Sequence, residues 1–213
     1  ATMYPIDGDH GMFTPEQMAA VMEAPTRYKP PFRLVCVEQT TNKPGGRIWP
    51  LEQIQAVCKM AHERGALTHM DGARLLNATV ATGIDPKAYA ASFDTLWIDL
   101  SKGLGAPIGG VLAGSAAFIQ EAWQWKQRIG GAMRQAGIIA AAGSFALDHH
   151  VDRMAEDHAN AKRLANGIAG APRIQIDVEG VETNMVRFDV ADLGVSSRDR
   201  KSTRLNSSHP SIS

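Results

Sequence analysis

An α/β fold with a mainly parallel sheet is what this sequence predicts, on three observations. Short stretches rich in β-formers alternate with helix-periodic stretches, the pattern of a parallel sheet joined by crossover helices. Reactive side chains fall just past the ends of those β-rich stretches, where open parallel sheets bind ligands. The alternation holds until about residue 173, where the pattern changes.

Each element follows from local chemistry. Residues 33–38 (RLVCVE) follow Pro30-Pro31 and read as a strand, and residues 42–50, with Pro44-Gly45-Gly46, are turn material. Leu51, Ile54, Val57, Cys58 and Ala61 recur at spacings of three and four, so 51–64 reads as an amphipathic helix ended by Gly65. Residues 66–70 (ALTHM) form a short strand with Asp71 at its C-terminal end. A helix is expected over 73–81, stopped by Gly83. Residues 94–100 form the next strand, 101–105 a glycine-containing turn, and 109–113 a further strand. Helices are expected over about 115–127, 133–148 and 151–168.

The segments IQIDV and NMVRFDV then read as strands opening a smaller domain. The expected organisation is a partial large domain over 1–168 and the start of a small C-terminal domain over 169–197. A tail over 198–213 is expected to be disordered or artefactual. Its residues 199–209 (DRKSTRLNSSH) resemble the translation of a sequencing-adapter oligonucleotide, so the natural protein is expected to end near Ser197 in this record. The abrupt start at Ala1-Thr2-Met3 suggests truncation there too.

Composition narrows the class. With 44% hydrophobic and 21% charged residues, the chain can bury a normal core. Its 22 basic and 22 acidic residues cancel, which gives no electrostatic reason to expect nucleic acid or an anionic membrane as partner. Cys36 and Cys58 form no disulfide framework; they read as buried apolar filler in a protein of the reducing cytoplasm. No basic-then-apolar leader opens the chain, and the most apolar run, 137–147, is about half a membrane span.

Three motifs carry chemistry. In Ser101-Lys102-Gly103-Leu104-Gly105-Ala106-Pro107 a lysine stands at a strand end among small residues that let a bulky group approach the backbone. Such a lysine is a candidate Schiff-base nucleophile, or simply a solvated charge. In His69-Met70-Asp71-Gly72-Ala73-Arg74 a carboxylate at a strand end can pair with a protonated pyridine nitrogen, or cap the helix that follows. His69 shares a strand face with Asp71 and reads as a group orienting it, or as a base. In the run 130–137 (GGAMRQAG) glycines precede a helix with Arg134 in its first turn, which suits phosphate binding or an ordinary helix start with a solvated arginine. His62 reads as solvated. His149, His150 and His158 lack partners at metal-ligand spacing, so no metal is expected. No GxGxxG follows a strand, which disfavours a Rossmann-like dehydrogenase.

HMDGARLLNATVATG, LSKGLGAPIGGVLAGS and GGAMRQAGIIAAAG stand in the order and spacing of the threonine aldolases, within the larger β-eliminating lyases. VEQTTNKPGGRIWPLEQI resembles the strand, turn and helix before the DGAR motif of that family, and the resemblance covers about residues 3–190. It implies the aspartate-aminotransferase-like fold of pyridoxal-phosphate enzymes and retro-aldol cleavage of threonine or allo-threonine to glycine and acetaldehyde. The alternatives are another pyridoxal-phosphate β-eliminating lyase, a racemase, or an inactive fragment that binds the cofactor poorly. Lys102 resembles the Schiff-base lysine and Asp71 the partner of the pyridine nitrogen. Arg74 resembles the arginine near cofactor and substrate carboxylate. Ser101 is placed beside the phosphate. Arg134 resembles an arginine offered to a neighbouring subunit's phosphate, which implies a homodimer or a dimer of dimers.

The chain departs from the family at two places. It reads Glu38-Gln39-Thr40-Thr41-Asn42 where the family usually reads Glu-Asn-Thr-His-Asn. No histidine stands near Tyr28, where the family often has one linked to the β-hydroxyl group, so substrate preference stays open.

Overall fold

The computed structural model describes residues 3–23, 26–28 and 30–190; the expectations for the tail lie outside these. The first helix, α1 (Pro15–Val21), went unread in the sequence. Its local code is complete: Thr14 accepts from the Gln17 amide at 3.2 Å, Gln17 answers on the Thr14 amide at 2.8 Å, and Pro15 presets the first turn.

Then come β1 (Leu34–Glu38), α2 (Leu51–Glu63), β2 (Leu67–Gly72), α3 (Leu75–Thr82), the short α4 (Pro86–Ala90), β3 (Thr95–Asp99) and β4 (Gly110–Gly114). The strands lie side by side in the order β1-β2-β3-β4. The pairs β1–β2 and β2–β3 are parallel, each joined through helices, and β3–β4 is antiparallel. The loop over 100–109 is too short for a crossover, so β4 has to fold back beside β3.

Alternation of side chains gives the sheet one packed face. Val35 and Val37 of β1 and Met70 of β2 meet Ile54, Val57, Cys58 and Ala61, the predicted stripe of α2, with Trp49 beneath. Fully burying one such aliphatic side chain stabilises by about 1.5–3 kcal/mol. The opposite face is open: Leu34 is 51% and Leu67 58% exposed. Cys36 lies on that face and is exposed, against the expectation of buried filler, whereas Cys58 is buried.

Helix α5 spans Ala116–Arg128, α6 Gly137–His149 and α7 Met154–Ile168. The second starts four residues later than expected, because Gln135 adopts φ 53°, a left-handed backbone that a right-handed helix excludes. Arg134 therefore sits in the turn before α6, not in its first turn. The third begins after a turn over 151–153. Beyond α7, β5 (Gln175–Ile176) and β6 (Phe188–Asp189) pair antiparallel as a separate two-stranded sheet. The segment between them is tied back to the large sheet's loops. Arg47 pairs with Glu182 at 3.0 Å and with Asp177, and Thr183 donates to the Gly46 carbonyl at 2.9 Å.

His62 is not simply solvated. Its Nε2 lies 2.9 Å from Asp94 Oδ2, and the Thr68 amide donates to the same oxygen at 2.7 Å. Burial alone would raise the Asp94 pKa, but hydrogen bonds from His62 and Thr68 outweigh it and hold the carboxyl below its usual range. This knot ties the end of α2 to the starts of β2 and β3, at the sheet end away from the reactive residues.

Candidate active site at the carboxyl ends of the strands

Register puts Glu38, Asp71 and Trp97 in one row across β1, β2 and β3. Asp71 is on the open face and half-buried. One of its oxygens accepts from the Ala73 amide at 3.1 Å; the other has no hydrogen-bond partner among the described residues. That turn delays α3 to Leu75 and directs Arg74 inward, where its amide donates to the Gln39 carbonyl at 3.0 Å. The Arg74 side chain is buried, 6% exposed, with no anionic partner among the described residues. A buried guanidinium without a counter-charge is costly, and an anion bound beside it would offset that cost. Gly72 is fixed by space: a Cβ there would lie 2.5 Å from the Trp97 carbonyl oxygen.

The lysine stands three residues past Asp99, the last residue of β3. Asp99 folds its carboxylate over the turn, and its Oδ1 accepts from both the amide and the hydroxyl of Ser101 at 2.7 Å. The Lys102 ammonium lies 3.2 Å from Asp99 Oδ2 and 5.4 Å from the centre of the Trp97 ring. Because Trp97 is the register partner of Asp71, Lys102 and Asp71 belong to the same end and face of the sheet. Burial alone would raise the Asp99 pKa; bonds from Ser101 and the charge of Lys102 overcome this and lower it.

The loop is anchored from behind. Leu100 and Leu104 are buried against Ala146 and Met154. The Leu104 carbonyl accepts from His150 Nδ1 at 2.6 Å, and a Cβ on Gly103 would come within 3.2 Å of Asn77 and of Met154. Asn77 is itself buried and bonds His158 of α7 at 3.2 Å. Burial lowers the His158 pKa, with Asp157 opposing, so a neutral ring can accept from the Asn77 amide.

The other expected residues are placed as follows. Ser101 gives its hydroxyl to Asp99. His69 shares the face of Asp71, but its Nδ1 bonds Thr95 Oγ1 at 2.8 Å, so it does not hold Asp71 directly. Burial pushes the His69 pKa down, with Asp71 opposing. Arg134 is exposed and without a partner among the described residues. Asp99, Trp97 and Asn77 were missed in the sequence. Only Asp99 leaves a trace there: an aspartate two residues before a serine favours this kind of turn. A cavity of about 450 Å³ lies elsewhere, between Lys43, Arg47, Asp177 and Arg187.

The described donors fit a pyridoxal phosphate group. An amine past the end of β3, a carboxylate with one free oxygen at the end of β2 and a buried unpaired guanidinium just after it lie at the same end of the sheet.

A family model described as beta-eliminating lyase matches residues 1–191. Low-specificity L-threonine aldolase 1 of Arabidopsis thaliana is 37% identical over 86% of this chain and 52% of its own. Low specificity L-threonine aldolase of Escherichia coli K12 is 41% identical over 75% of this chain and 46% of its own. The chain spans about half the length of the curated relatives it matches. Among solved structures, a candidate L-allo-threonine aldolase of Listeria monocytogenes superposes with a TM-score of 0.71 at 27% identity, covering 82% of this chain and 46% of that one. Aspartate aminotransferase of Thermus thermophilus shares the fold, with a TM-score of 0.60 at 14% identity over 83% of this chain and 45% of that one.

Proposed function

Because this chain belongs to the β-eliminating lyase family, we propose that the intact protein is a pyridoxal-phosphate-dependent aldehyde-lyase cleaving threonine or allo-threonine to glycine and acetaldehyde. One observation carries the reading: Asp71 and Lys102, related through Trp97, stand at one end and face of the sheet, with the buried, unpaired Arg74 three residues past Asp71. The names of the relatives support the substrate class.

Lys102 would hold the cofactor through its amine, and the free oxygen of Asp71 would keep a proton on the ring nitrogen. The bound cofactor supplies an electron sink for the pair released when the Cα–Cβ bond of the amino acid breaks. Arg74 would bind a carboxylate and so orient that bond, an entropic contribution rather than a chemical one. His69, its ring kept neutral by burial and steered by Thr95, would line the face behind Asp71. Ser101 would act through its amide and hydroxyl bonds to Asp99, which shape the turn beside the phosphate. Arg134, exposed and without a partner among the described residues, is read as serving a neighbouring subunit of a homodimer or dimer of dimers. The β5–β6 pair is read as the start of the smaller C-terminal domain. The two free thiols fit a protein of the reducing cytoplasm.

The test is product analysis on the intact protein. Acetaldehyde and glycine formed in equal amounts from threonine, and lost in Lys102→Ala, support the reading. Pyruvate and ammonia from serine without acetaldehyde from threonine would assign β-elimination instead.

A further inference from the structure

Lys102 is held by a carboxylate that its expected chemistry does not require. Its ammonium lies 3.2 Å from Asp99 Oδ2, three residues earlier on the chain. The same carboxylate accepts two bonds from Ser101 through its other oxygen. The Asp99 side chain is only 13% exposed and that of Lys102 27%, so water screens the pair less than it would a surface pair. No other ion pair or hydrogen bond reaches the Lys102 ammonium among the described residues. Charged or titratable groups on the elements around this loop include His69 and Asp71 of β2, Arg74 ahead of α3, Asp148 and His149 of α6, His150 after it, and Glu156, Asp157 and His158 of α7. None of them bonds Asp99.

We propose that Asp99 is a positioning residue for Lys102: it parks the side chain as an ammonium ion over Trp97 and restrains its amine until a carbonyl partner draws it away. This rests on the reading of Lys102 as the cofactor-holding lysine. Its physical basis is the differing needs of the two forms. Only the neutral amine attacks a carbonyl, and an adjacent carboxylate favours the ammonium. Because Ser101 holds Asp99 Oδ1, the free oxygen Oδ2 is fixed where Lys102 can return to it. The turn therefore does two things with one side chain: it shapes the loop and sets the rest position of the nucleophile.

The test needs no cofactor. The intact protein is labelled with a trace of acetic anhydride across pH 6–12, and the rate at Lys102 is compared by peptide mass with that at exposed Lys59. In Asp99→Asn the amide oxygen can still accept from Ser101, so the turn is kept while the charge is lost; circular dichroism verifies the fold. Lys102 should then label severalfold faster relative to Lys59, because the carboxylate that restrains its amine at 3.2 Å is gone. Asp99→Glu should return the rate toward the original. Should Asp99→Asn not fold, Asp99→Ser removes the charge with a shorter acceptor and should give the same gain. An unchanged rate, or an equal gain in Asp99→Glu, would overturn the proposal, since mere loosening of the loop needs no loss of charge. Pyridoxal phosphate with borohydride, run in parallel, tests the cofactor reading separately. Failure of that adduct leaves the labelling result standing, and failure of the labelling shift leaves the adduct standing.

Discussion

Single side chains in this fold carry charges that the surrounding structure leaves only partly answered. Arg74 is the clearest, a guanidinium at 6% exposure without an anion among the described residues. A substrate carboxylate would answer it with charge-assisted hydrogen bonds worth about 1.5–3 kcal/mol. Arg74→Ala is therefore expected to lower kcat/KM for threonine by roughly ten- to hundredfold, mostly through KM. Steady-state kinetics check this, and an unchanged KM would remove Arg74 from substrate binding. A second prediction concerns Asp94, whose pKa is lowered in the fold by His62 and Thr68 against the opposing effect of burial. A carboxyl with a depressed folded pKa contributes stability above its unfolded value, about 3.9. That contribution is lost as pH falls through the folded value. The protein should therefore lose stability on acidification below about pH 4, and Asp94→Asn should flatten that part of the curve while lowering stability at pH 7. Denaturant titrations across pH measure both.

Elements set the separation of these side chains. Strand β2 can approach β3 at the site only because Gly72 has no Cβ; an added methyl would lie 2.5 Å from a backbone oxygen that cannot swing aside. Gly72→Ala should destabilise by about 1–3 kcal/mol, read as a drop in the urea midpoint, and should displace Asp71 with it. A midpoint unchanged by the substitution would show that the strands have room to part. The elements differ in how far sequence disclosed them. Helix α2 was legible because Ile54, Val57, Cys58 and Ala61 repeat at helical spacing and are all buried on one side. Helices α1 and α4 span 7 and 5 residues, too short for a periodic stripe to stand out. The late start of α6 comes from the backbone of Gln135, a residue with no special preference for that conformation. The placement of Asp71 and Lys102 at the carboxyl end of the sheet was legible from the strand ends, whereas Arg74 was singled out only by resemblance. The ties Asp99–Lys102, His69–Thr95 and Asn77–His158 depend on side-chain direction after folding, and spacing along the chain does not specify direction.

At the scale of the whole molecule, apolar side chains of the described residues stand uncovered in more than one region. One is the open sheet face with Leu34 and Leu67. A second runs through Trp123, Ile129, Met133, Ile138 and Phe145 around α5, the following turn and α6, with Ile138 82% exposed. Exposed apolar groups at this density mark surfaces that partners cover. Arg134 lies within the second region, which links that surface to the neighbouring subunit's site in the proposed oligomer. Ile138→Asp is expected to shift the intact protein toward monomer in sedimentation velocity and to weaken cofactor retention with it. Loss of association with full retention would separate Arg134 from the cofactor.

Whether Lys102 holds pyridoxal phosphate decides the rest. The direct measurement is a visible titration of the intact protein with pyridoxal phosphate, then borohydride reduction and peptide mass mapping. A yellow adduct fixed by reduction on Lys102, and absent from folded Lys102→Ala, is the predicted result. A folded protein that takes up no cofactor on Lys102, or fixes it on another lysine, would contradict the assignment of this strand end as the active site.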